Sequence, residues 1–177
     1  METVSRASFG EFRALVGRTV DAVFQDSGYW HLFVALRCAD GKSIVFSTED
    51  VGIAKYFEVF PIKVKVETTE ERAWRRLDKP QAIREVTPLC REEWLEPSAP
   101  GPELVGSAPH HVHRAGRGPA PTEAVQRTVV QAGVEVRFEP TESLLVYASN
   151  TAPFNVEVAV TKNEVENAMA AFNATDA

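Results

Sequence analysis

The chain has 177 residues, 25% charged and 44% apolar, and its 19 basic against 25 acidic side chains leave a net charge of −6. This is the composition of a globular chain long enough for one core or two small lobes, and it excludes a collagen-like repeat or a wholly disordered polymer. The negative field opposes nonspecific binding to nucleic acid or anionic membranes, and the longest apolar runs are five residues (32–36, 144–148, 168–172), where a bilayer-spanning helix needs about 20.

Residues 1–6 lack a basic segment followed by an apolar stretch, so no secretory signal is expected there. Ser8 and Glu11 have the spacing of a capping box, which predicts a short helix with Phe9, Phe12, Leu15 and Val16 on one face. Gly17 ends it, because glycine enters the left-handed region without steric cost. Residues 19–25 read as a first strand and residues 26–28 as a turn. A central strand follows over 29–38, with Trp30, Leu32, Val34, Leu36 and Cys38 on one face. Asp40 and Gly41 form a hairpin signal leading into a strand over 42–48, so the first three strands are expected to form a meander.

A helical turn is expected over 49–57. Ile62, Val64 and Val66 then alternate with Lys63, Lys65 and Glu67, the pattern of a half-exposed strand. Thr68 and Glu71 repeat the capping-box spacing and predict a second helix with Ala73, Trp74 and Leu77 facing inward. Residues 97–122 hold six of the eleven prolines and four of the ten glycines and read as a loop or linker. Beyond it, Val134, Val136 and Phe138 alternate with charged residues, 144–148 is apolar on both faces, and Phe154, Val156, Val158 and Val160 alternate again. Thr161 and Glu164 cap a last helix whose Val165, Ala168, Met169 and Phe172 share one face.

The expected fold is α+β, with mainly antiparallel sheet and helices on one side. An N-terminal part (1–96) and a C-terminal part (123–177) flank the linker, each reading as a β-meander followed by a threonine-capped helix. The C-terminal part alone is marginal in size and is expected to pack on the first. Cys38 and Cys90 are too few for a disulfide scaffold, and with the missing signal they place the chain in a reducing cytoplasm of the bacterial kind.

Four constellations carry chemistry. His110, His111 and His113 cluster as a candidate metal site. They lie in the Pro/Gly-rich segment without a carboxylate or thiolate at ligand spacing, which favours a solvated loop, and no cofactor is expected. Arg72, Arg75, Arg76 and Lys79 recur at helical spacing, a stripe suited to an anion or an acidic partner, or to a plain solvated face. Glu135, Glu139 and Glu157 fall on the outward faces of the C-terminal strands, where residues 121–177 carry 3 basic and 8 acidic side chains. Solvated strand carboxylates are poor acid–base catalysts but suit docking of a basic protein. His31 sits on a strand where it would line a pocket or simply hydrogen-bond in a half-buried site.

No nucleophile elbow, phosphate loop or dinucleotide fingerprint is present in the sequence. The leading expectation is a noncatalytic binding protein that engages a protein partner through its acidic sheet surface, in the manner of a small protein neutralising a basic toxin. The alternatives are a metal-binding protein or hydrolase built on the histidines, and an anion or small-ligand scaffold built on the arginines. No nucleic acid or membrane is expected as a partner, and an exposed edge strand is compatible with a homodimer.

Overall fold

In the computed structural model, residues 3–26, 28, 30–54, 57–95, 126–139, 142–149, 152 and 154–173 are described. The chain begins with a two-residue strand β1 (Thr3–Val4) and a helix α1 (Phe9–Arg13) that carries the expected capping box. The Ser8 hydroxyl oxygen accepts from the Glu11 N–H at 3.2 Å, and the Glu11 carboxylate accepts from the Ser8 N–H at 2.7 Å. Phe12 and Leu15 are buried while Phe9 and Val16 are exposed, and Gly17 follows at φ +89°.

Strands β2 (Thr19–Gln25), β3 (Phe33–Cys38) and β4 (Lys42–Thr48) form the antiparallel meander. The β3–β4 hairpin closes with the Gly41 N–H donating to the Cys38 carbonyl at 3.2 Å, with Gly41 at φ +75°. This is a three-residue loop ending in a left-handed glycine rather than a two-residue primed turn. β3 is shorter than expected: residues 30–32 turn away, the His31 carbonyl accepts from the Val156 N–H at 2.6 Å, and Trp30 and Leu32 are exposed.

Residues 49–57 are not helical. β5 (Val51–Ala54) and β6 (Phe57–Val59) form a small hairpin, because the β-branched Val51 and Ile53 at period two pack on the core. β7 (Ile62–Thr68) pairs with β4 as expected.

The helix expected after Thr68 is absent, and with it the repeat of a meander plus helix in each half. Thr68 still belongs to β7 opposite Lys42, and the Thr69 hydroxyl bonds the Ser43 hydroxyl at 2.9 Å. Residues 69–74 cross the outer face of the sheet, and residues 75–82 enter it as β8 (Arg75–Ala82). Tertiary pairing overrides local helix propensity here, since β8 supplies hydrogen bonds to the free edge of β2. The first sheet therefore runs β7-β4-β3-β2-β8.

The second sheet takes strands from both sides of the expected linker over 97–122, which lies outside the described residues. β9 (Glu85–Leu95), which the sequence reading did not assign, pairs along its whole length with β10 (Gln126–Glu139). On the opposite edge of β10 lie β1, parallel beside Val129 and Val130, and β11 (Glu142–Ala148), antiparallel from Gly133 onward. β12 (Val156–Ala159) pairs with β11 and leads into α2 (Lys162–Asn173). Residues on both sides of 97–122 thus share one sheet.

One buried cluster joins the two sheets: Val34, Leu36, Ile44 and Phe46 from the first, with Val134, Val136, Leu144 and Val146 from the second. The opposite face of the second sheet carries Gly133, Leu145 and Tyr147, and α2 lies over it, with Val165 and Phe172 buried. α1 packs separately against β7 and β9, so among the described residues the two helices do not form one layer. The architecture is mostly antiparallel sheet, with helix as a minor component.

Candidate functional site

The β2–β8 ladder is irregular, and that irregularity shapes the site. Ala22 pairs with Arg76 and Val20 with Gln81, so residues 77–80 have no partner on β2 and arch outward as a wide bulge. Bulges re-aim side chains and recur beside functional sites. This one faces the end of β10, the beginning of β11 and the start of α2 across a cleft of about 560 Å3. The cleft walls include Arg75, Arg76, Leu77 and Lys79 from β8, Glu135 and Arg137 from β10, Glu142 and Leu144 from β11, and Lys162, Val165 and Glu166 from α2.

Most of the charges in the cleft are already neutralised locally. Arg137 is held between Glu135 at 3.0 Å and Glu85 at 2.8 Å, Lys79 faces Glu142 at 3.8 Å, and Lys162 faces Glu166 at 3.8 Å. Arg75 and Arg76 are exposed and have no ion-pair partner among the described residues, nor does Asp78. Glu164 at the head of α2 accepts the N–H groups of Thr161 at 2.9 Å and Val160 at 3.0 Å. Those backbone bonds hold its carboxyl below the ordinary carboxylate range, helped by the Thr161 hydroxyl and then by the field of Arg75. The helix start is thereby satisfied from within, and Arg75 and Arg76 are left without an ion pair among the described residues, Arg75 acting on Glu164 through its field alone.

The four cations that the sequence groups in one stripe divide into two sets. Arg75, Arg76 and Lys79 reach the cleft, but Arg72 does not. Its guanidinium lies 4.7 Å from the Phe33 ring centroid and 5.4 Å from that of Phe24, and it pairs with Glu70 at 2.7 Å. Trp74 stacks edgewise on Phe24 at 6.0 Å and lies under Arg37, whose guanidinium is held bidentately by Asp21. The segment 69–74 is thus a strap over the outer face of the first sheet.

The three carboxylates named from the sequence do not form one open patch. Glu135 has only 13% of its side chain exposed and is committed to Arg137. Glu157 accepts a hydrogen bond from the Tyr147 hydroxyl; burial first, and that bond second, push the phenol up to about 12. Glu139 stands exposed at the end of β10. His31 is half-buried with its ring Nδ1 3.4 Å from Gln25 Nε2. His110, His111 and His113 lie outside the described residues; among those described, no group of three potential metal ligands occurs.

The sequence reading missed the cleft because its walls come from three separated segments. The available signal was Pro80 within a charged stretch, which argues against an uninterrupted helix across residues 68–80. Comparisons with protein-family models, with curated proteins and with solved structures give no match for this chain.

Proposed function

We propose that this chain is a noncatalytic binding protein that seats an anionic group of its ligand in the cleft between β8 and the start of α2. The observation that carries this reading is that Arg75 and Arg76 line the cleft without an ion-pair partner among the described residues, Arg75 reaching Glu164 only through its field, while Lys79, Arg137 and Lys162 beside them are paired. Two adjacent guanidinium forks supply planar, bidentate donors for a carboxylate or phosphate.

The test is thermal unfolding in acetate and in inorganic phosphate, against chloride at matched ionic strength. A ligand that binds only the folded state raises stability by mass action. Anion-dependent stabilisation that disappears when Arg75 and Arg76 are both replaced by glutamine is the expected result. Equal responses from the parent and the double variant would overturn the reading.

Docking of a basic protein is the second reading, favoured by the exposed Glu139, Glu142 and Glu166 near the same end of the second sheet. Charge reversal at Glu139 and Glu142 should then slow association more than it speeds dissociation. Glu135 and Glu157, being engaged internally, contribute little to such steering.

A further inference from the structure

We propose that the end of the molecule built from Trp30, Leu32, Phe60 and Phe154 is a docking surface for a basic protein segment, an arginine of which lies on the rings. This does not rest on the cleft. The cleft is bounded by residues 142–144 and 160–166, whereas Phe154 lies in the connection at the other end of β11 and β12.

The backbone turns apolar side chains outward here. Trp30 and Leu32 continue the alternation of the buried Val34 and Leu36, and a strand running straight through them would aim them at the core. Instead the Leu32 N–H donates to the Trp30 carbonyl at 3.0 Å in a tight turn, and the Val156 N–H on β12 holds the intervening His31 carbonyl at 2.6 Å. Trp30 is left 48% and Leu32 51% exposed. The Trp30 ring packs edgewise on Phe154 at 4.7 Å, and Phe154 packs edgewise on Phe60 at 6.3 Å. The three rings are therefore contiguous, unlike the singly scattered apolar side chains of an ordinary surface. Their turns are tied down, since the Thr48 hydroxyl donates to the Phe154 carbonyl at 3.0 Å and the Glu49 N–H to the Pro61 carbonyl at 3.2 Å. A platform ordered in advance loses little entropy on binding.

Charge selects the partner. Asp26 opens the turn that carries Trp30 and accepts the Gly28 N–H at 3.2 Å, while the exposed Asp50 follows the Thr48 and Glu49 that hold Phe154 and Pro61. Neither carboxylate has an ion-pair partner among the described residues. Arg6 and Lys63 are both drawn onto Glu49, at 3.1 and 3.3 Å. Two cations against three carboxylates leave this end with one negative charge, on a chain whose net charge is −6. Ring faces are themselves electronegative, and arginine is the cation most often found over them. An apolar partner would cover the rings and leave the carboxylates unused, whereas an arginine engages both.

The experiment titrates the full chain with the capped tripeptide leucyl-arginyl-leucine and with analogues carrying citrulline or glutamate at the centre, read by backbone amide and indole N–H shifts. A cation over an exposed ring is worth about two- to fivefold in affinity. The arginine peptide should therefore bind at least about threefold tighter than the citrulline peptide, and the glutamate peptide weakest, with shifts concentrated on residues 30–32, 48–50, 60 and 154. Trp30→Ala should weaken the arginine peptide at least about threefold. Asp26→Asn with Asp50→Asn should narrow the preference for arginine over citrulline, and asparagine keeps the acceptor for the Gly28 N–H. Trp30 and Asp50 lie at the surface, so these variants should keep nearly the urea midpoint of the parent.

Equal binding of the arginine and citrulline peptides, shifts confined to other parts of the protein, or no binding by any of the three overturns the proposal. So does self-association that Trp30→Ala abolishes, which would assign the face to a second copy of the chain. Adsorption of these residues to neutral phosphatidylcholine vesicles, with no preference among the peptides, would assign it to a lipid surface and overturn the proposal likewise. The shift map of the parent protein decides the location should a variant fold poorly.

Discussion

Gly133 is the most sharply constrained position in the second sheet, and Gly133→Ala measures how closely α2 approaches it. An added Cβ would lie 2.7 Å from Phe172 Cζ, 3.1 Å from Phe172 Cε1 and 3.4 Å from Leu89 Cβ. Carbon atoms in favourable contact sit about 3.5–4.0 Å apart, so the Phe172 ring must retreat by about 1 Å. That ring is only 6% exposed and belongs to the same buried cluster as Val134 and Leu145. The backbone at Gly133 is not in the left-handed region, so alanine brings no φ penalty.

Overpacking of this kind costs about 1–3 kcal/mol, offset by the ~0.5–1 kcal/mol by which alanine is preferred to glycine within a strand. The expected net loss is about 1–2 kcal/mol, or a fall of about 2–8 °C in melting temperature for a chain of this size. Equilibrium urea unfolding of Gly133→Ala, Phe172→Leu and the double variant isolates the contact. Leucine has no atom at the Cζ position, so in that background the alanine penalty should vanish or become a small gain, a coupling of about 1 kcal/mol or more. A Gly133→Ala protein as stable as its parent, or the same penalty with leucine at 172, would refute close packing of α2 on this strand.

Three further outcomes follow from named contacts. Thr161→Ala removes the hydroxyl that accepts from the Glu164 N–H at 3.3 Å, and should cost about 0.5–1 kcal/mol by urea unfolding, as other exposed caps do; no change would show that the cap is idle. Glu11 and Glu164 both have carboxyls held below the ordinary 4.5, by backbone hydrogen bonds from Ser8 and from Thr161 and Val160. Their contribution to stability is complete above pH 4.5 and is lost as pH falls through their lower folded values. Acid unfolding should therefore become less steep in Glu164→Gln, and an unchanged acid limb would contradict this. Burial pushes the Cys38 thiol up to about 11 and also raises that of Cys90, but only Cys90 is exposed; an aromatic disulfide reagent at pH 8 should modify Cys90 in the folded protein and Cys38 only in urea, and two equally fast thiols would argue against the burial of β3.

Elements whose signals are local were legible from the residues. β2, β4 and β7 fall where alternation and turn residues place them, and the Ser8 and Thr161 capping boxes both form. Thr68 and Glu71 carry the same signature yet cap nothing, because Thr68 is held in the ladder opposite Lys42 and β2 needs a partner on its far edge. Local pattern cannot report the demand of a distant strand for hydrogen bonds. The same cause hid β9, whose Pro88 and charged residues break any alternation while its pairing with β10 comes from across residues 97–122. Of the candidate site, the chemistry of the arginines was readable and their geometry was not. Strand spacing with a bulge at 77–80, rather than helical spacing, brings Arg75, Arg76 and Lys79 to the cleft.

The division within that basic stretch supplies a final test, since two neighbouring arginine sets have opposite roles. Arg72 has 16% of its side chain exposed and lies over two aromatic rings, with Glu70 at 2.7 Å and Glu67 at 3.7 Å. Partly desolvated cation–π contacts are worth about 1–2 kcal/mol, and the aliphatic stem adds packing that alanine forfeits. Arg72→Ala should therefore lower the urea midpoint while leaving the anion response of the cleft unchanged. Arg75 and Arg76 are exposed and have no ion-pair partner among the described residues, so replacing them should leave the midpoint in chloride nearly unchanged and abolish the anion response. A loss of anion response in Arg72→Ala at temperatures where it remains folded would mean that the strap and the cleft act as one site. A large loss of stability on replacing Arg75 and Arg76 would assign those cations to holding β8 in the sheet rather than to a ligand.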